Sequence, residues 1–413
     1  MFRKKGYVPP SHAIYPYTTD ITKNKIVLSR SIRWYKDTDF THTNNNVLVV
    51  GDKTKTDIVK QNILIDNSNF VIVDSNGKIL SETKKHLQDQ GYQISIIDFN
   101  HSQNTDYYNP FLYFTNKYDP FRFAECLIEN IKENNIQDNC FRNLQISLLQ
   151  SIIFYIANYE AKASQRLSTI IELLEDLQNH MRINTFSKLD IAYEKIKLNS
   201  PNDIGFLEYQ KFVKHEDEDL KSSVINTCLE QFRFLKIPEV NQITSGDTIN
   251  LNTFGDKKQA LFIITPGENS LYKPLISTIY MQLMDIFYYR DYTSSPFHIR
   301  FFIDIENIGK ISNLAKMINC LYVYNMSSFF ITPSLKEIKD IYDIPKHLLD
   351  GTDIIASSNL VVFQEKIQEE VSKFIKFCPG LMKLKKKEFK KIKEDIHCLV
   401  FIYGYAMFID RKI

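Results

Sequence analysis

Several protein classes are excluded by what this sequence has little of. Its six cysteines, Cys126, Cys140, Cys228, Cys320, Cys378 and Cys398, are widely scattered and no two form a C-x-x-C pair. That spacing argues against both a zinc site and a disulfide framework, and reduced, mostly buried thiols are the expectation. Charge of one sign is also lacking: Lys and Arg number 51 against 49 Asp and Glu, a formal charge of +2. No global field therefore steers the chain toward nucleic acid or an anionic membrane, and any basic surface must be local. The nine histidines show no ligand spacing, no Ser/His/Asp or Cys/His grouping stands out, and no metal site is expected. Long apolar runs are missing as well. The most continuous, "CLVFIYGYAMFI" near the C-terminus, is too short to cross a bilayer. The basic N-terminus "MFRKKGYVPPSHAIYPYTTD" is followed by no apolar segment of the kind a signal peptide or anchor needs. A cytoplasmic chain without a transmembrane helix is the expectation.

What is present is ordinary for a folded protein: 413 residues, 44% hydrophobic and 24% charged, enough for a substantial core and for two or three domains, or one domain with a large insertion. Short β-branched and aromatic runs recur as "NVLVV", "NFVIVD", "QISIID", "QALFIIT", "IRFFID", "SSFFIT", "NLVVF" and "CLVFI". Several are apolar on both faces, as strands buried between helix layers are, which predicts an α/β fold with a mainly parallel sheet. "PLISTIYMQLMDIFYY" reads as a crossover helix, with Pro274 in its first turn and Leu275, Ile279, Leu283 and Ile286 or Phe287 forming one stripe. Between about residues 116 and 245 the strand signals stop and helix-period signals replace them. Leu144, Leu148, Ile152 and Ile156 step by four, and Leu167, Ile170, Ile171, Leu174 and Leu177 form a second face opened by a Ser168 cap. The pattern predicts an inserted all-α domain, joined through linkers at "YFTNKYDP" and "NQITSGDT".

Chemistry is suggested at the stretch Val47 to Asn62, "VLVVGDKTKTDIVKQN", a strand running into a helix through a turn. A phosphate loop, G-x-x-x-x-G-K-[ST], wraps backbone N–H groups around phosphates, places Lys on the β and γ oxygens and offers a hydroxyl to Mg²⁺. Here "GDKTKT" supplies Gly51, Lys53, Lys55 and Thr56, but three residues separate Gly51 from Lys55 where that pattern has five. The second glycine is absent, side chains at Asp52, Lys53 and Thr54 crowd the approach, and Asp52 repels phosphate. By itself the turn reads as a plain strand-to-helix connection. The complementary carboxylate would close a later strand, and "HIRFFIDIENIG" supplies Asp304, followed by Ile305 and Glu306. In working sites such an Asp holds Mg²⁺, often beside a Glu that polarises the attacking water. An Asp at a strand end is equally a common turn residue.

Taken in order, "NVLVVGDKTKT", "NFVIVDSNGKILSET", "GYQISIIDF" with "YNPF", "FGDKKQALFIITPGENSLYKPLISTIYMQL", "HIRFFIDIENIGKI" and a closing strand in "EDIHCLVFIYGYAMFIDRKI" resemble the type IV secretion coupling proteins of the TraG kind. These are the conjugation ATPases that pass DNA and relaxase to a secretion channel. The resemblance runs from about Trp34 to the C-terminus and implies a RecA-like P-loop fold. It divides the chain into an N-terminal extension (1–40), the first part of the nucleotide-binding-type domain (41–115), the inserted all-α domain (116–245) and the second part (246–413). It also exposes departures: "DSNGK" stands where Asp-Pro-Lys-Gly-Glu is expected, Thr332 or a neighbour replaces the glutamine after the sensor strand, and "CLYVYNMSS" lacks the usual arginine. The family's N-terminal transmembrane helices have no counterpart.

Each lost group would touch phosphate, metal or attacking water. The expectation is therefore a degenerate, non-catalytic homologue with vestigial Gly51, Lys53, Lys55, Thr56, Asp304 and Glu306. It would act as an adaptor or structural subunit, cytoplasmic or held at the inner face of the plasma membrane through partners. Those partners would be type IV secretion and conjugation subunits, with relaxase, an intact coupling ATPase, DNA and a ring of copies as candidates. The alternative is an active DNA-translocating ATPase with an atypical loop, using ATP and Mg²⁺. The run "LMKLKKKEFKKIKED" gathers Lys383, Lys385, Lys386, Lys387, Lys390, Lys391 and Lys393, which could contact a nucleic-acid backbone without sequence preference or form a solvated helix face. The acidic "KHEDEDLK" falls in the inserted domain, where the family's domain meets relaxase and cargo, and reads equally as a solvated helix start.

Overall fold

The computed structural model describes residues 25–35, 44–51, 55–131, 139–267, 270–289, 296–312, 314–342, 355, 358, 360–377, 392–393, 395–402 and 408–413. Two compact units emerge. The first comprises Met1–Ile96, Thr253–Glu268 and Phe287–Ile413, the second Ile97–Asn252 and Asn269–Ile286.

A nine-stranded sheet is built from β3 (Val47–Val50), β4 (Asn69–Ser75), β5 (Gln93–Asp98), β6 (Gln259–Thr265), β7 (Ile299–Asp304), β8 (Met326–Thr332), β9 (Leu360–Phe363), β10 (His397–Ile402) and β11 (Phe408–Arg411). Their order is β5-β6-β4-β7-β8-β3-β9-β10-β11. The pairs β6–β4, β4–β7, β7–β8, β8–β3 and β3–β9 are parallel, while β10 runs antiparallel to both β9 and β11. Every residue of β3, β6, β7, β8 and β9 is buried, which is why these segments are continuous apolar runs and not alternating ones. The C-terminal apolar stretch is two antiparallel strands, β10 and β11, where the sequence suggested one closing strand.

On one face, α1 (Lys55–Ile65) and α2 (Lys78–Asp89) join a core that includes Val47, Ile58, Ile63, Phe70, Phe262 and Phe302. A two-stranded ribbon of β1 (Lys25–Val27) and β2 (Arg33–Tyr35) completes it with Ile26 and the fully buried Trp34. The ribbon is fastened to α1 by Asn62, whose Oδ1 accepts from the Val27 amide at 2.9 Å and whose Nδ2 donates to the Val27 carbonyl at 3.0 Å.

The second unit holds α3 (Asp119–Glu129), α4 (Asn139–Tyr159), α5 (Ser168–Arg182), α6 (Lys188–Asn199), α7 (Ile204–Val213), α8 (Glu218–Gln231), α9 (Pro238–Ile243) and most of α10 (Lys273–Tyr289). Leu144, Leu148, Ile152 and Ile156 on α4, and Leu167, Ile170, Ile171, Leu174 and Leu177 at α5, are all buried. Ser168 does not cap α5. The N-cap position is Leu167, without a side-chain cap, because the chain enters through a tight turn in which the Thr169 amide donates to the Arg166 carbonyl and the Ile170 amide to that of Leu167. Nor does α10 bury a single stripe: Ile276, Tyr280, Met281 and Met284 are enclosed along with Leu275, Ile279, Leu283, Ile286 and Phe287, as expected of a helix apolar all round. The stretch expected as the first linker is a firm turn, in which Asp119 accepts from the amides of Thr115 and Asn116. "KHEDEDLK" is a helix start, Asp217 capping α8 through the Leu220 amide. Among the described cysteines, Cys126, Cys228 and Cys398 are buried and Cys140 and Cys320 are exposed; Cys378 lies outside the described residues.

Candidate nucleotide site

The site is defined by strand order. Gly51 follows β3 and Lys55 opens α1, so the chain passes from the end of a central strand to a helix N-terminus; residues 52–54, Lys53 among them, lie outside the described residues. Asp304 closes β7, two strands away across β8. The Lys55 side chain spans that gap, placing Nζ 3.3 Å from Asp304 Oδ2. Lys55, Thr56, Asp74, Ser75 and Asp304 line one small cleft with Val59, Ile72, Phe302 and Ile331, and its volume is about 50 Å³. Sites that accommodate drug-sized ligands run to roughly 300–1,000 Å³.

Both strand-end carboxylates are engaged by the chain itself. Asp304 is the N-cap of the four-residue α11 (Ile305–Ile308): Oδ1 accepts from the Glu306 amide at 3.2 Å and Oδ2 from Asn307 Nδ2 at 2.8 Å. The N-cap of α2 is the left-handed Gly77, and Asp74 from the end of β4 accepts from the first-turn amides of Ile79 at 3.1 Å and Leu80 at 2.7 Å. Burial holds the Asp74 carboxyl above its ordinary value, and those amides offset only part of that rise. Glu306 is partly buried on α11 and is not one of the cleft's lining residues.

Gly51 has a local explanation. Its amide donates to the Thr332 carbonyl at 2.8 Å, its φ is +123°, and a Cβ there would stand 2.9 Å from Gln364 Cβ and 3.0 Å from the Glu365 nitrogen. The glycine is required by the exit of β9 pressing on the end of β3. Thr332 is buried, with Oγ1 donating to the Ser334 carbonyl at 2.8 Å.

Gly51, Lys55, Thr56 and Asp304 are thus brought to the C-terminal ends of the central parallel strands. Sequence reasoning missed Asn307, whose side-chain contact with Asp304 follows only once Asp304 caps α11. Of the lysine run, 383–391 lie outside the described residues; Lys393 is exposed and its amide donates to His397 Nδ1 at 3.1 Å. Among the described residues no cluster of three or more His, Cys, Asp or Glu could hold a metal ion, and no helix is long and apolar enough to cross a membrane.

A family model described as type IV secretory system conjugative DNA transfer matches residues 15–391, and the chain belongs to that family of coupling proteins. Solved structures agree on the fold. The bacterial conjugative coupling protein TrwBΔN70, in a trigonal form with sulphate, superposes with a TM-score of 0.69 at 15% identity, over 100% of this chain and 94% of that one. The plasmid coupling protein TrwB in complex with ADP and Mg²⁺ gives 0.68 at 15% identity, with 100% and 94% covered. VirB4 of Thermoanaerobacter pseudethanolicus gives 0.56 at 11%, with 96% and 97% covered. No curated protein sequence matches the chain. The shared architecture is the RecA-like P-loop fold with an inserted helical domain.

Proposed function

We propose that this chain is a non-catalytic coupling-protein homologue, an adaptor or structural subunit of a conjugation or type IV secretion system. One observation carries the reading: Asp304, where a magnesium ligand would be needed, has its oxygens occupied by Lys55, the Asn307 amide group and the Glu306 backbone. A cation entering there would have to displace an ammonium and uncap a helix, in a cleft of about 50 Å³. This donor set does not fit magnesium-assisted hydrolysis. Ile305 stands where a neighbouring acid would polarise water, and its side chain is buried. In this reading Lys55 and Thr56 are remnants of phosphate binding and Gly51 is kept for packing. The 116–245 module holds partners, while 41–115 and 246–413 preserve the frame; of the expected 1–40 extension, residues 25–35 are part of that frame as the β1–β2 ribbon. Partners are secretion-system subunits, with relaxase and an intact coupling ATPase foremost, and they would supply any attachment to the membrane.

The test is thermal and kinetic. A ligand at one hundred times its Kd stabilises a protein by roughly 2.7 kcal/mol; Mg-ATP at millimolar concentration is expected to leave the melting temperature unchanged, in wild type as in Lys55→Ala, with no phosphate release. Hydrolysis abolished by Asp304→Ala would overturn the reading. It would favour the second one, an active DNA-translocating ATPase using ATP and Mg²⁺ and assembling as a ring around DNA. What favours that alternative is the convergence of Lys55, Thr56 and Asp304 in a single cleft.

A further inference from the structure

The helical unit carries an apolar surface that its own packing does not explain. Helix α6 is held firmly: Ser187 and Asp190 form a capping box at its start, Tyr209 Oη donates to Asp190 Oδ1 at 2.9 Å, and Leu189, Tyr193 and Ile196 are buried beneath it. Its opposite face is nevertheless Lys188, Ile191, Lys195 and Leu198, spaced three, four and three residues apart along one side of the helix. Ile191 is 50% exposed and Leu198 83%. Between this face and the end of α4 lies a groove of about 360 Å³, floored by Ala192 and the stacked rings of Tyr155 and Tyr159. Lys188 and Lys195 are its only charged lining residues, and neither ammonium is paired with a described carboxylate. The nearby carboxylate of Asp176 is taken by the Lys188 amide and by His180.

We propose that this groove docks an acidic amphipathic helix of a partner protein. Seven residues of α-helix rise about 10.5 Å, so the two lysines suit carboxylates two turns apart on the partner, straddling apolar side chains that cover Ile191 and the tyrosine floor. Isolated exposed apolar residues mean little, but a row of them beside a concavity marks an interaction site. A single-stranded nucleic acid is the weaker fit. Phosphates flanking a base stacked on Tyr155 and Tyr159 would meet the carboxylate of Asp203, which accepts from the Tyr159 hydroxyl at 2.7 Å, and the aliphatic row would stay uncovered.

The inference deepens the adaptor reading and rests on it for the kind of partner, but the two fail separately. A protein that hydrolyses ATP yet binds the acidic helix removes only the former. The test is fluorescence anisotropy of the full chain with a labelled helical peptide carrying glutamates seven positions apart around leucines, its glutamine counterpart, and oligothymidine. The glutamate peptide is expected to bind in a salt-sensitive manner, weakened at least about tenfold by Lys188→Glu with Lys195→Glu and by Ile191→Ser, and retained by Lys188→Arg with Lys195→Arg. These positions are exposed, and unchanged circular dichroism confirms the fold of each variant. No binding, equal binding of the glutamine peptide, insensitivity to the charge reversal, or tighter capture of oligothymidine each overturns the proposal.

Discussion

Asp285 shows how one buried group sets a pH dependence. It lies on α10 with Arg122 Nη1 at 3.1 Å, while the same guanidinium reaches Asp119 at 2.6 Å. Burial pushes the Asp285 carboxyl from 3.8 up to about 6; Arg122 pulls it down and Asp119 pushes it further up. Asp119 is also raised by burial, but Arg122 and the amides of Asn116 and Thr115 outweigh that and hold it below its ordinary value. One guanidinium thus serves two acids and satisfies Asp119 first. Below about pH 4 Asp285 is protonated folded or unfolded. As pH rises, the unfolded carboxyl ionises first, so the stability contributed by the retained proton is lost through about pH 6. A tenfold change in proton affinity between the folded and unfolded chain is worth about 1.4 kcal/mol. Asp285→Asn, which cannot ionise, should therefore gain about 2–3 kcal/mol relative to wild type between pH 4 and 7, read from urea denaturation at stepped pH. A constant difference across that range would rule out the buried carboxyl as the cause. Asp285 lies inside the helical run "PLISTIYMQLMDIFYY" and could not have been singled out there, because its partner Arg122 is remote in sequence. Gly51 was legible as a residue but not in its role, since the backbone pressing on it belongs to Gln364 and Glu365.

At the scale of elements, the smallest depend most on tertiary partners. Strand β1 is three residues long, too short to hold its register alone, and Asn62 supplies what a third strand would. Asn62→Ala leaves the buried amide and carbonyl of Val27 without that partner, a loss of about 1–3 kcal/mol. The Val27 amide should then exchange its hydrogen roughly 5–150 times faster, while amides in β4 keep their protection. Exchange measured by mass spectrometry or NMR checks this, and uniform acceleration would mean global destabilisation. The same dependence explains which elements the sequence disclosed. Strands β3, β6, β7, β8 and β9 announce themselves as apolar runs because they are covered on both faces, whereas β5 at the sheet edge is mostly half-exposed. The ribbon strands β1 and β2 and the edge strand β11, with "KIV", "RWY" and "FIDR", carry no period long enough to read. Their order comes from Asn62 and from Asp410, which accepts from Ser29 Oγ at 2.6 Å and the Ser31 amide at 2.8 Å. Ser168 misled for a related reason: a residue type that favours caps sits one position inside a helix whose entry turn had already satisfied the first amides.

For the whole molecule, the helix-period signals fill 116–245, whereas the unit that holds these helices runs from Ile97 to Asn252 and takes in Asn269–Ile286; the membership of α10 was not legible. That helix follows β6 and reads as an ordinary crossover, yet residues 269–286 belong to the helical unit. Polar contacts show why: Asn130 Nδ2 donates to Ser277 Oγ at 2.9 Å, Gln282 Nε2 to the Pro110 carbonyl at 3.0 Å, and Arg122 to Asp285. Tyr108 is wholly buried and gives its hydroxyl to Gln282. Residues 97–252 alone would leave Tyr108, the Pro110 carbonyl, Arg122 and Asn130 without these partners, and each buried polar group left unpaired costs about 1–3 kcal/mol. That fragment is therefore expected to lack a cooperative thermal transition and to aggregate. A fragment in which 269–286 is rejoined through a flexible linker should melt cooperatively. Calorimetry on the two decides it, and a cooperative transition in the shorter one would show that the helical unit is complete without its distant segment.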